Sequence, residues 1–330
     1  MTDQDFETPA LRLGRPAPSD TAARTARQRE LGLASVPDSV FDEVARKAAE
    51  STGATAAMVN LVGERGQYFV GLYGKEPAAG DAAFLGDPGR FMDMDQGFCV
   101  HVVGRKAALT LDDVFEFSRF RGNPVVDELG VRSYIGVPLI DDDGTVIGTV
   151  CAIDPAPRSE AEGNSWGNQG LQVLKEARDQ VLAEIGSRQR ITEILAAADG
   201  PVMITASPGL EVLYANGHHE QLFGAIEQLG APAPEAFPHL APVGILAIIE
   251  HLERGGDPMV TPPIPLTGPP TTTITFASVP VRVPGQDAAV LTFGLTDTDA
   301  VSCLARAKKI AADIGDQSDV GGLSGNSGQE

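Results

Sequence analysis

Between Asp95 and Val126 the chain reads DQGFCVHVVGRKAALTLDDVFEFSRFRGNPVV. A cysteine stands two residues before a histidine, Cys99 and His101. An acidic pair, Asp112 and Asp113, follows, and then an Arg/Asn stretch from Arg119 to Asn123. A thiol and an imidazole can form a nucleophile and its base. On a helix, residues two apart point about 200° away from each other, so the pair cannot easily meet there. On an extended segment they would share a face. A reactive thiolate also needs a nearby cation or a helix N-terminus. In one reading Cys99 opens a helix beside a pocket and is redox-sensitive or touches ligand; in the other both side chains are structural. Cys151 lies inside the apolar run TVIGTVCAID, where a free thiol behaves as a small hydrophobe.

The other polar clusters favour structure over chemistry. Asp112 and Asp113 can cap a helix that starts near Val114. Phe115 and Phe120 are then its core anchors. Arg119 and Arg121 can pair with the two aspartates or meet an anionic ligand. Asn123-Pro124 is a turn. A zinc site needs three or four ligands at suitable spacing, which this sequence does not offer. Adjacent His218 and His219 would point apart on a helix, and His239 and His251 lie in different segments; solvated surface is expected for most of them. A haem on His218, His219 or His239 stays open, and the sequence identifies no cofactor. The glycine clusters GERGQYFVG and GVPLIDDDG lack both the Gly-Lys-Ser/Thr of a phosphate loop and dinucleotide-binding spacing. GGDPMV, from Gly255, is a turn.

These residues must be positioned by a chain of 330 residues, which suggests about two domains. With 42% hydrophobic and 21% charged residues it can build a core. A formal net charge of −20 opposes binding to nucleic acid or to an anionic membrane. There is no apolar run of membrane-spanning length. The acidic start, MTDQDFETPALRLG, does not read as a signal peptide. Three widely separated cysteines suit a reducing cytoplasm.

Residues 1–30 read as a polar N-terminal arm. Asp38 can cap a helix whose Phe41, Val44 and Ala48 share one face, and Gly53 ends it. Met58, Asn60 and Val62 then alternate with Val59 and Leu61 in a strand, turned by GERG into QYFVGLY. Residues from Lys75 to Arg90 read as a loop. FCVHVVGRK is helical and AALTLDDV extended. Two β-rich runs flank Asp142-Asp143-Gly144. A helical segment follows from about Gln169 to Leu195, with a stripe of Leu171, Leu174, Val181, Ile185, Ile191, Ile194 and Leu195 interrupted by Arg178 and Gly186. It either pairs with its copy in a dimer or packs on its own domain. A hairpin (PVMITAS, LEVLYAN), a short helix (GHHEQLFG), a Pro-rich stretch, the helix VGILAIIEHLERGG and two more β runs complete the second half. A modest helix and a Gly/Ser-rich tail, expected to be disordered, close the chain.

The stretch from about Leu31 to Arg158 resembles a GAF domain. The match rests on FDEVARKAAESTGATAAMVNLVGERGQYF, FCVHVV, LDDVFEFSRFRGNPVV and VRSYIGVPLIDDDGTVIGTVCAIDPAPR, in that order. Residues from about Ile191 to Asp299 resemble a PAS domain, through PVMITASPGLEVLYANGHHEQLFG and the terminal hairpin ASVPVRV…AAVLTFGLTDTD. The resemblance implies an α+β fold of two domains, each a central antiparallel sheet flanked by helices, joined by a long helix. The expected organisation is an arm over 1–30, a GAF domain over 31–165, a connecting helix over 166–190, a PAS-like domain over 191–299, and a short helix and disordered tail over 300–330.

Matching the motifs makes Phe98, Cys99, His101, Asp113, Phe120, Tyr134 and Cys151 the candidate ligand-binding residues. Bilin-binding GAF relatives join Cys directly to His; here Val100 intervenes. No kinase, phosphatase or helix-turn-helix output is recognisable. The resemblance therefore implies a bacterial, cytoplasmic sensor or adaptor without catalysis. It would bind an unidentified small-molecule ligand or sense redox in the GAF pocket and relay the change to a downstream signalling protein, as a homodimer. The rivals are a thiol-dependent reductase of the free methionine sulfoxide type using Cys99, and a ligand-free dimerisation scaffold.

Overall fold

The computed structural model describes residues 18–75, 89–206, 210–223, 231–236, 244–265, 273–283, 286 and 288–319. Most of the loop expected from Lys75 to Arg90, the turn at Pro208-Gly209, Gly224, much of the Pro-rich stretch, His239 and the last eleven residues lie outside them. The chain divides into two compact units, Met1–Ala183 and Glu184–Glu330. Each is built on an antiparallel sheet flanked by helices. No described helix is long and apolar enough to cross a membrane.

In the first unit, α1 (Pro18–Glu30) is followed by α2 (Ser39–Thr52). The Asp38 carboxylate accepts the backbone N–H groups of Val40 and Phe41 and caps α2, while Gly53 ends it at φ +66°. Then come β1 (Ala56–Gly63), β2 (Gly66–Gly74), β3 (Phe91–Met92), α3 (Cys99–Arg105), β4 (Leu109–Leu111), a 3-10 turn (Val114–Glu116), α4 (Pro124–Glu128), β5 (Ser133–Ile140) and β6 (Val146–Asp154). The sheet order is β3-β2-β1-β6-β5-β4. Helix α2 lies so close to β2 that a Cβ on Gly71 would come within 2.3 Å of the Phe41 carbonyl oxygen. The face bearing Ala56, Met58, Tyr134, Cys151 and Ile153 packs with Phe98, Cys99 and Val102 from α3.

The sequence reading assigns no element to the N-terminal arm, yet α1 is a helix held on the sheet by polar side chains. Buried Arg24 donates to the Val146 carbonyl at 2.6 Å, and buried Gln28 donates to the carbonyls of Val62 (3.1 Å) and Ile147 (2.6 Å). Arg27 pairs with Asp141 at 2.6 Å. A stripe of Arg24 and Gln28 satisfies exposed ladder ends, so no hydrophobic periodicity announces it.

Helix α5 (Gly167–Ala196) runs from the first unit into the second. Leu174, Val181, Ile185, Ile191 and Leu195 of its stripe are buried within this single chain, and Ile191 and Leu195 join the core of the second unit. That unit continues with β7 (Val202–Ala206), β8 (Glu211–Ala215), α6 (Gly217–Phe223), α7 (Ala233–Ala236), α8 (Ile245–Glu253), β9 (Met259–Val260), β10 (Ile264–Pro265), β11 (Thr273–Val281), β12 (Ala289–Thr296) and α9 (Ala300–Asp319). The order is β10-β11-β12-β7-β8, with β9 also on β11. Cys303, Ala307 and Ile314 of α9 pack with Val279 and Leu291, while Ile245, Ile249 and Leu252 of α8 pack with Phe276 and Val290.

His219 is buried rather than solvated, its ring 4.8 Å from that of Phe223, because a helix turns neighbours about 100° apart and only His218 faces out. Residues Asp316–Asp319, expected to belong to a soft tail, continue α9, and the rest of that tail lies outside the described residues.

Candidate functional site

The α3 face of the first sheet borders a cavity of about 40 Å³, room for one or two waters. Met58 of β1, Met92 of β3, Cys99 at the start of α3, Tyr134 of β5 and Cys151 of β6 line it, with Gln67 as a polar wall. Two of these meet through strand register: Met58 stands opposite Cys151, whose other neighbour is Gly136. The two thiol sulfurs are 3.5 Å apart, and Cys151 Sγ is 3.8 Å from Met58 Sδ. The Tyr134 hydroxyl donates to Cys99 Sγ at 3.4 Å. It reaches that far only because Gly136 has no side chain: a Cβ there would sit 2.1 Å from the phenol oxygen.

The start of α3 is set by Gly97 and Asn123. Gly97 takes φ +71°, a conformation that suits glycine. Asn123 binds it both ways, Oδ1 accepting from the Gly97 N–H and Nδ2 donating to the Gly97 carbonyl, each at 2.9 Å. Gln67 adds bonds to the carbonyls of Asp93 (2.8 Å) and Gln96 (2.9 Å), and accepts from Asn60 Nδ2 at 3.1 Å. Cys99 therefore hangs from a clamped turn.

Of the residues named from sequence, Phe98, Cys99, Tyr134 and Cys151 line the cavity. Phe120 stands behind it, edge-on to Phe98 at 5.6 Å. His101 is turned away onto Phe120, its ring centroid 5.1 Å distant, as helical spacing requires; it does not meet Cys99 as a base. Asp113 caps the 3-10 turn through the Phe115 N–H (2.9 Å) and pairs with Arg132 at 2.8 Å. It does not line the cavity.

Several supporting assignments change. Asp112 caps nothing near Val114; it accepts from Ser165 Oγ (2.7 Å) and the Trp166 N–H (3.0 Å). Phe115 is 38% exposed, lying under the Arg132 guanidinium at 4.1 Å, and is no core anchor. Arg119 stacks on the Phe120 ring at 4.3 Å, and Arg121 donates to the Phe115 carbonyl. Arg132 takes the aspartate expected for them.

Residues 36–185 match the family model of the GAF domain. The first unit carries a GAF domain. Residues of this chain are 29% identical over 145 positions to the cyclic di-GMP phosphodiesterase PA2567 of Pseudomonas aeruginosa, covering 43% of this chain and 23% of that protein. The chain thus spans under a quarter of the length of that curated relative. Among solved structures, it is 15% identical to the GAF domain of Acinetobacter phosphoenolpyruvate-protein phosphotransferase, covering 49% of this chain and 94% of that one at a TM-score of 0.28. It is 12% identical to the type II free methionine-R-sulfoxide reductase of Thermoplasma acidophilum (44% and 89%, TM-score 0.33). It is 16% identical to the PAS domain of Bordetella pertussis BvgS (36% and 93%, TM-score 0.25).

In the GAF cavity the two thiols are electrostatically unlike. The Cys99 thiol is lowered to about 6, first by the hydrogen bond with Cys151, against burial, with smaller contributions from Thr149, Tyr134 and Asn60. Cys151 is pushed well above its ordinary value by that same bond and by burial. Burial raises Tyr134 as well, so it stays a donor. The sulfurs form a chain in which Cys99 Sγ is set to donate to Cys151 Sγ at 3.5 Å and Cys151 Sγ to Met58 Sδ at 3.8 Å. The cavity holds two hydrogen-bonded cysteines of unlike acidity, Cys99 the more acidic.

Proposed function

We propose that this chain is a sensory signalling protein whose GAF cavity detects a small sulfur-directed signal. The second unit, which we read as PAS-like, relays the change by contact with a downstream protein, without a reaction of its own. The reading is carried by one observation: two thiols 3.5 Å apart in a space of about 40 Å³. A cavity of one or two waters admits a hydroperoxide or a small ion. It does not admit an amino acid, which disfavours turnover of free methionine sulfoxide. We place the protein in a reducing bacterial cytoplasm, where the dithiol is the resting state, and read it as a homodimer.

The redox step balances with a hydroperoxide as oxidant. The Cys99 thiolate attacks the O–O bond, forming a sulfenic acid and, with one proton, releasing water or an alcohol. The Cys151 thiol then attacks that sulfur, a disulfide forms and a second water leaves. The sulfurs must close from 3.5 Å to about 2.0 Å, which pulls α3 toward β6. Helix α5 begins within the matched GAF residues and ends where Leu195 joins the second core, a direct route for relay.

The test is peroxide titration of the reduced full chain. Two of the three thiols should disappear, the mass should fall by about two hydrogens, and amide exchange in α5 should change. Steady turnover of methionine sulfoxide with a thiol reductant, abolished by Cys99→Ser, would replace this reading with the reductase.

A further inference from the structure

The GAF cavity is lined by more than two thiols. Met58 and Met92 bring thioethers to the same small space. Met58 Sδ lies 3.8 Å from Cys151 Sγ, itself 3.5 Å from Cys99 Sγ. Met92 Sδ points at Gly97, 3.0 Å from where a Cβ on that residue would be. Four sulfurs thus surround a void of about 40 Å³. Among the described residues no imidazole or carboxylate lines it: His101 faces Phe120, and no group of three or more His, Cys, Asp or Glu could hold a metal ion.

That donor set is selective. Zinc takes its four positions from thiolate, imidazole and carboxylate, which two thiols and two thioethers do not supply. Calcium and magnesium need oxygen. Thiolate with thioether is the combination that selects Cu(I). We propose that the cavity binds one soft monovalent d¹⁰ cation of the Cu(I) class through Cys99 Sγ, Cys151 Sγ and Met58 Sδ, with Met92 beside it. The proposal rests on the sensory reading of this cavity and names its ligand. Metal–sulfur bonds of about 2.3 Å set the sulfurs of a three-coordinate ion about 4 Å apart, close to the 3.5 and 3.8 Å already present. Both of these separations would widen by a few tenths of an ångström to take the ion.

Each cysteine binds the ion as a thiolate, so protons leave the sulfurs as the ion enters. The Tyr134 hydroxyl keeps its bond to Cys99 and orients that ligand from outside the metal's own shell.

The experiment is an anaerobic titration of the reduced full chain with Cu(I) against a coloured Cu(I) chelator, repeated with Ag(I). One equivalent per chain should be withheld from the chelator, with ultraviolet thiolate-to-copper absorption and a sulfur-only shell in X-ray absorption. Cys99→Ser and Cys151→Ser should abolish it, and Met58→Leu, nearly equal in volume, should weaken it about tenfold. Cys303→Ser should bind as the parent does. Failure of the folded, reduced protein to withhold Cu(I), a shell with nitrogen or oxygen, or unchanged affinity in Met58→Leu would each overturn the site. If peroxide still consumes two thiols while no Cu(I) is withheld, the metal inference falls and the sensory reading stands. If Cu(I) binds but neither it nor peroxide alters exchange in α5, the site stands and the sensory reading falls.

Discussion

Cys99 and Cys303 are equally hidden, 5% and 0% exposed, yet they are opposite chemical objects. Cys303, in α9, donates to the carbonyl oxygens of Thr275 at 3.2 Å and Phe293 at 3.6 Å. Its neighbours are acceptors, and burial raises its thiol to about 11. Cys99 shares a hydrogen bond with the Cys151 sulfur and accepts one from the Tyr134 hydroxyl, and its thiol falls to about 6. Burial alone therefore says nothing about a cysteine's reactivity; the hydrogen-bond sense of its neighbours decides it. The packing differs in the same way. Cys303 fills a gap between helix and sheet among Val279, Leu291 and Ala307. Cys99 borders a void.

The contrast is sharpest under oxidation. With limiting hydroperoxide at pH 7.5, Cys99 and Cys151 should be lost completely while Cys303 stays alkylatable after unfolding, as peptide mapping would show. Loss of Cys303 first would break the comparison. Next in size is Gly136→Ala. Its Cβ collides with the Tyr134 phenol, so the ring must leave Cys99, at a cost of about 1–3 kcal/mol for overpacking in urea unfolding. The pH midpoint of Cys99 reactivity should rise in the same variant, a shift that destabilisation alone does not produce. Asn123→Ala should follow. It leaves the Gly97 N–H and carbonyl without their partner, costs about 1–2 kcal/mol, and slows the peroxide reaction by loosening the start of α3.

How far the sequence reveals this contrast can be followed residue by residue. Local signals are legible: Asp38 and Gly53 do end α2, the alternating run at Met58–Val62 becomes β1, and the two β-rich runs become β5 and β6. Cys99 and Cys151 stood out by type, but their meeting spans 52 positions and depends on which face of β6 lies under α3. Met58 and Asn60 already shared a face by alternation, as did Thr149 and Cys151. The register that sets Met58 against Cys151 and Asn60 against Thr149 is a pairing between strands far apart in sequence. Gly136 looked like an ordinary strand glycine until Tyr134 was seen to cross it. Asn123 read as a turn former, and the turn hid its bond to Gly97. Helix α1 was missed because its binding face is polar.

The smallest effect separates the two cysteines by sign. Cys99 has a folded value depressed from 9.0 to about 6, so its contribution to stability is complete above the unfolded value and is lost as pH falls through 6. Cys151 is raised, so its contribution holds below the unfolded value and is lost above it. The pair is most stabilising near pH 9. Cys303, raised from 9.0 to about 11, stabilises below pH 9 and loses that contribution as pH climbs to 11. Urea unfolding from pH 6 to 10.5 should therefore show a rising limb between 6 and 9 that Cys99→Ser removes. A falling limb above 9 should be reduced by Cys303→Ser. Each thiol contributes at most about 1.4 kcal/mol per pH unit, and the raised Cys151 adds to the fall above pH 9. Because other groups titrate in all three proteins alike, the differences between curves isolate the cysteines. A Cys99→Ser curve parallel to the parent from pH 6 to 9 would mean that Cys99 is protonated in the fold, and the two buried thiols would then be alike.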